Sequence, residues 1–565
     1  MLWAPLLKEA SVTYTPPEGV EVAHSMSKDE QGYWQVFLPQ ATAGTNYFYR
    51  IDGGKNLPDP ASAFQPEGVF GPSVVVDHSA FAWQDREWKN IGLDQMVMYE
   101  LHVGTFTGEG TFEAVIGKLD YLLELGINAI EIMPVAQFSG SRNWGYDGVF
   151  PFAVQNSYGG PLGLKKLVNT CHQRGLAVIL DVVYNHLGPE GNVLSQCMPC
   201  FTKKYHTPWG PAMNYDDQYS YGVRDFFIAN ALHWFEHYHV DALRLDAVHG
   251  IFDFGAEHVL KELSQAVKQL SREKGRPLHL IAESDLNDVR VISAAESGGW
   301  GMDAQWADDA HHCIHTILTG EDKGYYQDFG DIQKLTKAFS QGFAYTWDYS
   351  HFRKRYHGSR INDPIDLKKL VVYIQNHDQV GNRLEGERLS ALVPFEALKL
   401  GAAAYILSPF IPMLFMGEEY GEKAPFLYFM DFSDENLIKA VREGRKKEFA
   451  AFGWDKEPAD PYSLQTFERS KLNWEHLQQP HGRVLFDFYK HIIALRKRQQ
   501  EITLILNFDS SAQEFSWQEE GSWKLALDTA SPQWLGPGSD LPAIVQEKTA
   551  IKLKPSSAAV YEKQP

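Results

Sequence analysis

The chain is poor in cysteine, short of basic charge, and lacks an unbroken apolar run. Its 565 residues hold four cysteines, Cys171, Cys197, Cys200 and Cys313. That is too few for a disulfide scaffold, and Cys197-x-x-Cys200 has no second pair to complete a zinc site. It reads as an incidental loop pair or a local disulfide. Lys and Arg number 52 against 72 Asp and Glu, a formal charge of -20. Such a surplus of negative charge excludes nucleic acid and anionic membranes as partners. The longest apolar stretch, Gly401 to Gly417, is broken by Ser408, Pro409 and Pro412. It is marginal for a membrane span and fits a buried helix followed by a buried strand. Met1 to Ala10 has no basic start and is interrupted by Pro5, Lys8 and Glu9, so it does not read as a signal peptide. A cytoplasmic location is expected.

Aromatic surface, by contrast, is plentiful, with 15 Trp, 26 Tyr and 33 Phe. Such rings fill cores, and they also match the flat C–H faces of sugars. Length suggests two to four domains. Residues 1–90 are β-prone: Trp34-Gln-Val-Phe-Leu38 and Tyr47-Phe-Tyr-Arg-Ile51 are separated by Gly and Pro. From about residue 91, apolar strand patterns at 96–103, 127–133, 176–183, 240–246, 278–283, 301–307, 368–375 and 411–416 alternate with helical ones. The helices are expected at 112–125, 162–173, 223–239, 256–273, 386–406 and 482–497, with a polar, aromatic segment running to about 365. Near-continuous apolar strands between helices indicate a parallel sheet covered on both faces. Eight of them close a (β/α)8 TIM barrel. The expected fold is therefore α/β: an N-terminal β-sandwich at 1–90, a barrel with inserts at 91–500, and a small C-terminal β-domain at 501–565. A polar insert at 420–480 has no assignment beyond closing over the barrel mouth.

The chain is organised around Asp241-Ala-Leu-Arg-Leu-Asp-Ala-Val-His249. Strand side chains alternate, so Arg244 and Asp246 share one side and Leu243 and Leu245 the other. A structural ion pair would explain this stretch taken alone. Other strands end the same way, in Asp181-Val-Val-Tyr-Asn185-His186, in Glu283, and in Asn376-His377-Asp378. Barrel enzymes build their sites at these strand ends. Three carboxylates, two imidazoles and a guanidinium at one mouth suit glycosidic bond cleavage. That chemistry needs a proton donor, its pKa raised by neighbouring carboxylates, and an ionised carboxylate, which Arg244 would favour at Asp246.

These four motifs resemble those of the α-amylase superfamily of retaining glycoside hydrolases and transglycosylases. The resemblance implies that Asp246 is the nucleophile, Glu283 the general acid/base, and Asp378 a transition-state stabiliser that binds sugar hydroxyls. It places Arg244, His186 and His377 around the reacting sugar, and Tyr146, in Asn143-Trp-Gly-Tyr-Asp-Gly148, beneath it as a platform. Tyr99-Glu-Leu-His-Val-Gly-Thr-Phe106, Tyr205-His-Thr-Pro-Trp-Gly210 and Asp303-Ala-Gln-Trp-Ala-Asp-Asp309 are similar to the malto-oligosyltrehalose trehalohydrolase family within it. The implied reaction is hydrolysis of the α-1,4 bond next to the terminal trehalose of a malto-oligosyl trehalose, with functional pairing to malto-oligosyltrehalose synthase. No cofactor is implied. Asn185 stands where amylases use an Asn for calcium, but no acidic loop completes a site, so no metal is expected. Asp303, Gln305, Trp306, Asp308 and Asp309, placed after the sixth strand and so at the barrel mouth, are the candidates for recognising trehalose. His249, Glu190, Glu418 and Glu419 carry no derived role.

Two other readings stand beside this one. A 1,4-α-glucan branching enzyme shares the β-sandwich, barrel and motifs but transfers the chain to a sugar hydroxyl. A non-catalytic glycan-binding protein on the same fold would have lost the acid or nucleophile, and here Asp246, Glu283 and Asp378 are all present.

Overall fold

The computed structural model describes residues 1–16, 19–361, 364–451 and 457–564. Its centre is a closed barrel of eight parallel strands: β1 (Met98–Leu101), β2 (Ala129–Ile132), β3 (Ala177–Val182), β4 (Ala242–Leu245), β5 (His279–Ala282), β6 (Ala304–Trp306), β7 (Leu370–Val372) and β8 (Ile411–Phe415). Each strand pairs with its sequence neighbour, and Met413 opposite Met98 closes the ring. Every residue of β1, β2, β3 and β4 is buried, as strands covered on both faces require.

Alternation divides each strand between two cores. Met98, Ala129, Ile179, Ala242, Ile281, Trp306 and Met413 point inward and pack together along the axis. Tyr99, Ile130, Leu180, Leu243 and Leu280 point outward into the larger core beneath the helices. The covering helices include α1 (Gly160–Gln173), α2 (Ser220–His237), α3 (Val259–Lys274), α4 (Asp308–Thr319), α5 (Phe395–Ile406) and α7 (Pro480–Lys497), with α6 (Glu435–Ala451) in the insert. On α2, Val223, Phe227, Ala231 and Trp234 are buried, and Tyr238 just beyond it is too, so the apolar stripe faces the barrel as its spacing requires.

Three stretches differ from the sequence expectation. The helix expected at 386–406 is two, Leu389–Leu392 and Phe395–Ile406, because Pro394 between them has extended backbone and no N–H to continue the first. The helix expected at 112–125 divides into Phe112–Ile116 and Leu119–Leu125, with Gly117 closing the first piece. The polar segment after β6 is not featureless. It holds α4, the helix Ile332–Gln341, and a hairpin pairing Asp348–Ser350 with Arg355–His357.

A three-stranded and a five-stranded antiparallel sheet precede the barrel, and a four-stranded and a two-stranded sheet follow it. Among the described residues, no helix is long and apolar enough to cross a membrane.

Candidate active site

The inward faces of β1 to β4 are apolar at their start and charged at their end. Inward alternation carries Met98 to Glu100, Ala129 to Glu131, Ile179 to Asp181, and Ala242 through Arg244 to Asp246. Register sets Glu131 beside Glu100 and Asp181 beside Arg244. The strand ends therefore gather one guanidinium and several carboxylates at the C-terminal mouth.

Arg244 is the hub. It is fully buried, and its Nη1 donates to Asp181 Oδ2 at 2.6 Å and to Asp246 Oδ1 at 3.1 Å, while Nη2 donates to Glu283 Oε2 at 2.7 Å. Its guanidinium carbon lies 4.0 Å from the Trp306 ring centre, so the ring supports the cation from one face. Asp246 Oδ2 accepts from Asn185 Nδ2 at 3.0 Å, and Glu283 Oε2 also accepts from the Ala247 N–H at 2.8 Å. Asn185 is thus a hydrogen-bond donor to Asp246. His377 donates its backbone N–H to Glu100 Oε2 at 2.9 Å, and its Nδ1 lies 2.6 Å from Oε1. His377 Nε2 lies 3.6 Å from Asp378 Oδ2.

Burial works against the expectation that Arg244 keeps Asp246 ionised. Burial, then the Glu283 charge, pushes the Asp246 carboxyl well above its ordinary range, and Arg244 only partly offsets this. Burial would also raise Glu283, but Arg244, then His249 and the Ala247 N–H, outweigh it and hold Glu283 below its ordinary range. The physical reason is geometric: the guanidinium makes the shorter contact with Glu283. His377 loses stability as a cation through burial, but Asp378 and Glu100 overcome this and raise it to about 9. Asp181 is raised to about 6 by burial, with Arg244 opposing.

Asp246, Glu283, His377 and Asp378 face an open cleft of about 510 Å³, in the range of small-molecule sites. Tyr146 lines it, donating to Asp181 Oδ2 at 2.6 Å and lying parallel to His377 with centroids 5.1 Å apart. The loop carrying Tyr146 turns at Gly145, where φ is +109° and a Cβ would stand 2.1 Å from the Pro134 carbonyl oxygen, so only glycine fits. His186 is fixed between Asn185 Oδ1 and the Tyr146 carbonyl, each at 3.0 Å, and stacks on Trp209 with centroids 5.2 Å apart. Trp209 and His249 also line the cleft.

The candidates around the sixth strand do not form one cluster. Asp303 precedes β6 at the N-terminal end of the barrel, where its carboxylate accepts from the Leu280 N–H at 2.9 Å, so its expected place at the mouth is corrected. Gln305 is fully buried on the helix side of β6 and donates to the Ser284 carbonyl. Asp309 is buried and holds Asn287 and the Ala344 and Tyr345 N–H groups, tying α4 to a neighbouring loop. Trp306 is 1% exposed beneath Arg244. Asp308 alone stays near the mouth: it accepts from the Tyr373 hydroxyl, and burial raises it to about 7, with Glu283, Asp285 and Asp378 adding to the effect.

Other residues gain places that the sequence did not supply. Glu418 accepts from Tyr405 and Tyr489, and Glu419 from Tyr121 and Tyr99, all buried structural contacts. Glu190 joins three loops: it accepts from the Ser139 hydroxyl, from the Ser433 N–H and hydroxyl, and from the Asp434 N–H, just before α6. Through α6, the insert contributes Val441, Gly444 and Arg445 to the cleft wall. Cys197 and Cys200 are free and buried. Glu100 and Glu131 were missed as parts of the site, although each interrupts an apolar strand at its last inward position. Among the described residues, Glu131 has no hydrogen-bond partner.

The family described as alpha amylase, catalytic domain, matches residues 84–207. The chain is 50% identical over 496 residues to the malto-oligosyltrehalose trehalohydrolase of Saccharolobus solfataricus, covering 88% of this chain and 84% of that one. The 1,4-alpha-glucan branching enzyme of Pseudoalteromonas atlantica matches at 34% identity over only 40% of this chain. A crystal structure of a candidate alpha amylase from Salmonella typhimurium superposes with a TM-score of 0.89 at 36% identity, covering 100% of this chain and 97% of that one.

Proposed function

Since the chain belongs to the malto-oligosyltrehalose trehalohydrolase family, within the alpha-amylase superfamily, we propose that Asp246, Glu283 and Asp378 carry out its reaction. It is a glycoside hydrolase with trehalohydrolase activity. It cleaves the α-1,4 bond next to the terminal trehalose of malto-oligosyl trehalose, releasing trehalose and a maltodextrin. The observation that carries the site reading is the Arg244 fork: one buried guanidinium holds both Asp246 and Glu283 at an open cleft.

Sharing one guanidinium brings the two carboxyls to the same point of the cleft, and retention calls for a separation of about 5–5.5 Å. Glu283 protonates the leaving glycosidic oxygen while Asp246 attacks the anomeric carbon. A glycosyl-enzyme forms with inverted configuration, and water activated by Glu283 then displaces Asp246, restoring the original configuration. The productive complex needs the proton on Glu283 and Asp246 ionised, against the direction in which burial and the Glu283 charge push Asp246. A bound sugar supplies the change: its glycosidic oxygen accepts a hydrogen bond from protonated Glu283, and its oxocarbenium-like carbon favours the Asp246 anion. Asp378 binds ring hydroxyls. Tyr146 and His377 support the sugar, with Arg244 and His186 fixing their neighbours.

For recognition of the leaving group, Trp209 offers an indole that is 46% exposed at the cleft, and Asp308 a carboxyl near the mouth. These two are the trehalose-recognition candidates that the geometry supports. The proposal includes a cytoplasmic location and functional pairing with a malto-oligosyltrehalose synthase that makes the substrate. Free, buried cysteines fit a reducing compartment.

Incubation with maltotriosyl trehalose beside maltopentaose tests the reading. Free trehalose and maltotriose, with maltopentaose cut far more slowly, is the expected result. Equal cleavage of both would make this a general α-glucan hydrolase, and branched products from amylose would make it a branching enzyme.

A further inference from the structure

The short helix after β7, His377–Gly381, and the insert helix α6 meet at one side chain, the cap residue Asn382. Its Nδ2 donates to Asp378 Oδ1 at 3.1 Å, and its Oδ1 accepts from Arg445 Nη1 at 3.1 Å. The other arm of Arg445 donates to the Gly381 carbonyl at 3.1 Å, and its guanidinium carbon lies 5.0 Å from the Tyr428 ring centre. An asparagine amide can face either way, with oxygen and nitrogen exchanged. Arginine has donors only, so it accepts one orientation: the Asn382 oxygen must face Arg445. The NH2 group must then face Asp378. His377 Nε2, at 3.6 Å from Asp378 Oδ2, lies beyond hydrogen-bond reach, whereas the Asn382 amide makes a side-chain hydrogen bond to Asp378 Oδ1.

We propose that Arg445, acting through the Asn382 amide, is a positioning residue that holds Asp378 toward the sugar, making the insert helix part of the catalytic apparatus. The relay runs Arg445–Asn382–Asp378 and crosses from the insert to the barrel. The helix that carries Arg445 is tied down separately. Glu190 accepts from Ser433 and Asp434 at its start, and Asp431 accepts from Ser141 and Arg142 on the loop after β2. Without the insert, the Asn382 amide that faces Asp378 loses the contact that fixes its orientation. This inference rests on the role given to Asp378 above.

The test is a double-mutant cycle with Asn382→Ala, Arg445→Met and the pair, measured on maltotriosyl trehalose. Each single variant should lower kcat by about 10- to 100-fold, the cost of a misplaced reacting group, with a smaller change in KM. The double variant should match the worse single variant, because the two act in one relay. Arg445→Lys, which still donates to the Asn382 oxygen, should restore most of kcat. Multiplicative losses, or a loss confined to KM, would overturn the relay and leave Arg445 as a substrate contact or a packing group. If Arg445→Met does not fold, Asn382→Ala decides the question, since that side chain is exposed. A wild-type kcat in it would overturn the proposal. Asp378→Asn separates the two levels: an active Asp378→Asn enzyme would sink the site reading itself, while an inactive one beside wild-type Asn382→Ala would sink the relay alone.

Discussion

Arg244 lies closer to Glu283 than to Asp246, at 2.7 Å against 3.1 Å, with one guanidinium arm given to each. This contact, working against burial, holds the Glu283 carboxyl below its ordinary range, while burial and then the Glu283 charge push Asp246 above its own. Glu283 must carry the proton in the proposed first step, so Arg244 has to hold both carboxyls while substrate raises Glu283. Arginine can do this without losing its fixed position, because Asp181 anchors Nη1 at 2.6 Å and Trp306 supports the guanidinium face. Lysine keeps the charge but offers a point where two arms are needed. Arg244→Lys should lower kcat/KM by about 100-fold or more in steady-state assays on maltotriosyl trehalose. Retention of near-normal activity would show that charge alone suffices.

The pair His377–Glu100 makes a pH-dependent contribution to stability. Folding raises the imidazole from its ordinary value of 6.5 to about 9. The folded state therefore binds the proton more tightly, and the stabilisation is fully present below pH 6.5 and is lost as pH rises through about 9. Its upper bound is about 3 kcal/mol. Glu418 and Glu419, raised to about 7 by burial, lose stability in the same direction but at lower pH. Glu100→Gln removes one of the charges that raise His377. Urea unfolding midpoints between pH 7 and 9 should fall steeply in the parent and much less in the variant. Equal slopes would place the pH dependence elsewhere.

The barrel and the three carboxylates were legible in the sequence because two simple periodicities carry them. Apolar runs of strand length mark β1 to β8, and the i, i+2 spacing of Arg244 and Asp246 states that they share a face. The candidates around β6 were less legible. Trp306 and Gln305 differ by one position, and that parity sends one to the barrel axis and the other to the helix layer. Asp303 lies at the wrong end of the strand, and only the pairing with Leu280 reveals it. Arg445 and Glu190 were not legible at all. Their contacts span 63 and more than 240 residues of sequence, and no local pattern encodes a contact between an insert and a barrel loop.

Glu190 illustrates that long-range class. Its carboxylate accepts two backbone N–H bonds and the hydroxyls of Ser139 and Ser433, while side-chain and backbone donors lower its pKa against the effect of burial. Glutamine keeps the shape but removes the charge and turns an NH2 group toward donors. Glu190→Gln should destabilise the insert by about 1–3 kcal/mol. Limited proteolysis should cut 431–451 faster in the variant while the barrel stays resistant. Because α6 lines the cleft, KM for maltotriosyl trehalose should rise as well. Unchanged cleavage kinetics and KM would mean that Asp431 and its partners hold the helix without this clamp.

Trp306 closes the set, because its position decides between selectivity and support. A ring that recognised trehalose would offer an open face to the cleft. Trp306 is 1% exposed, covered on one face by Arg244 at 4.0 Å, and edge-on to Tyr373 at 5.3 Å. Truncation therefore empties the barrel axis and frees the guanidinium. Trp306→Ala should cost about 3–5 kcal/mol of stability and sharply lower kcat. The ratio of maltotriosyl trehalose to maltopentaose cleavage should stay as it is. Trp306→Phe refills most of the space and keeps an aromatic face, though a weaker one for a cation, so it should recover much of both stability and kcat. Trp209→Ala is the contrasting case: its indole is open to the cleft, so it should leave stability intact and narrow that ratio. If Trp306→Phe instead shifted the ratio with normal kcat, the buried ring would be sensing the leaving group through Arg244, and support and selectivity would not be separable at this position.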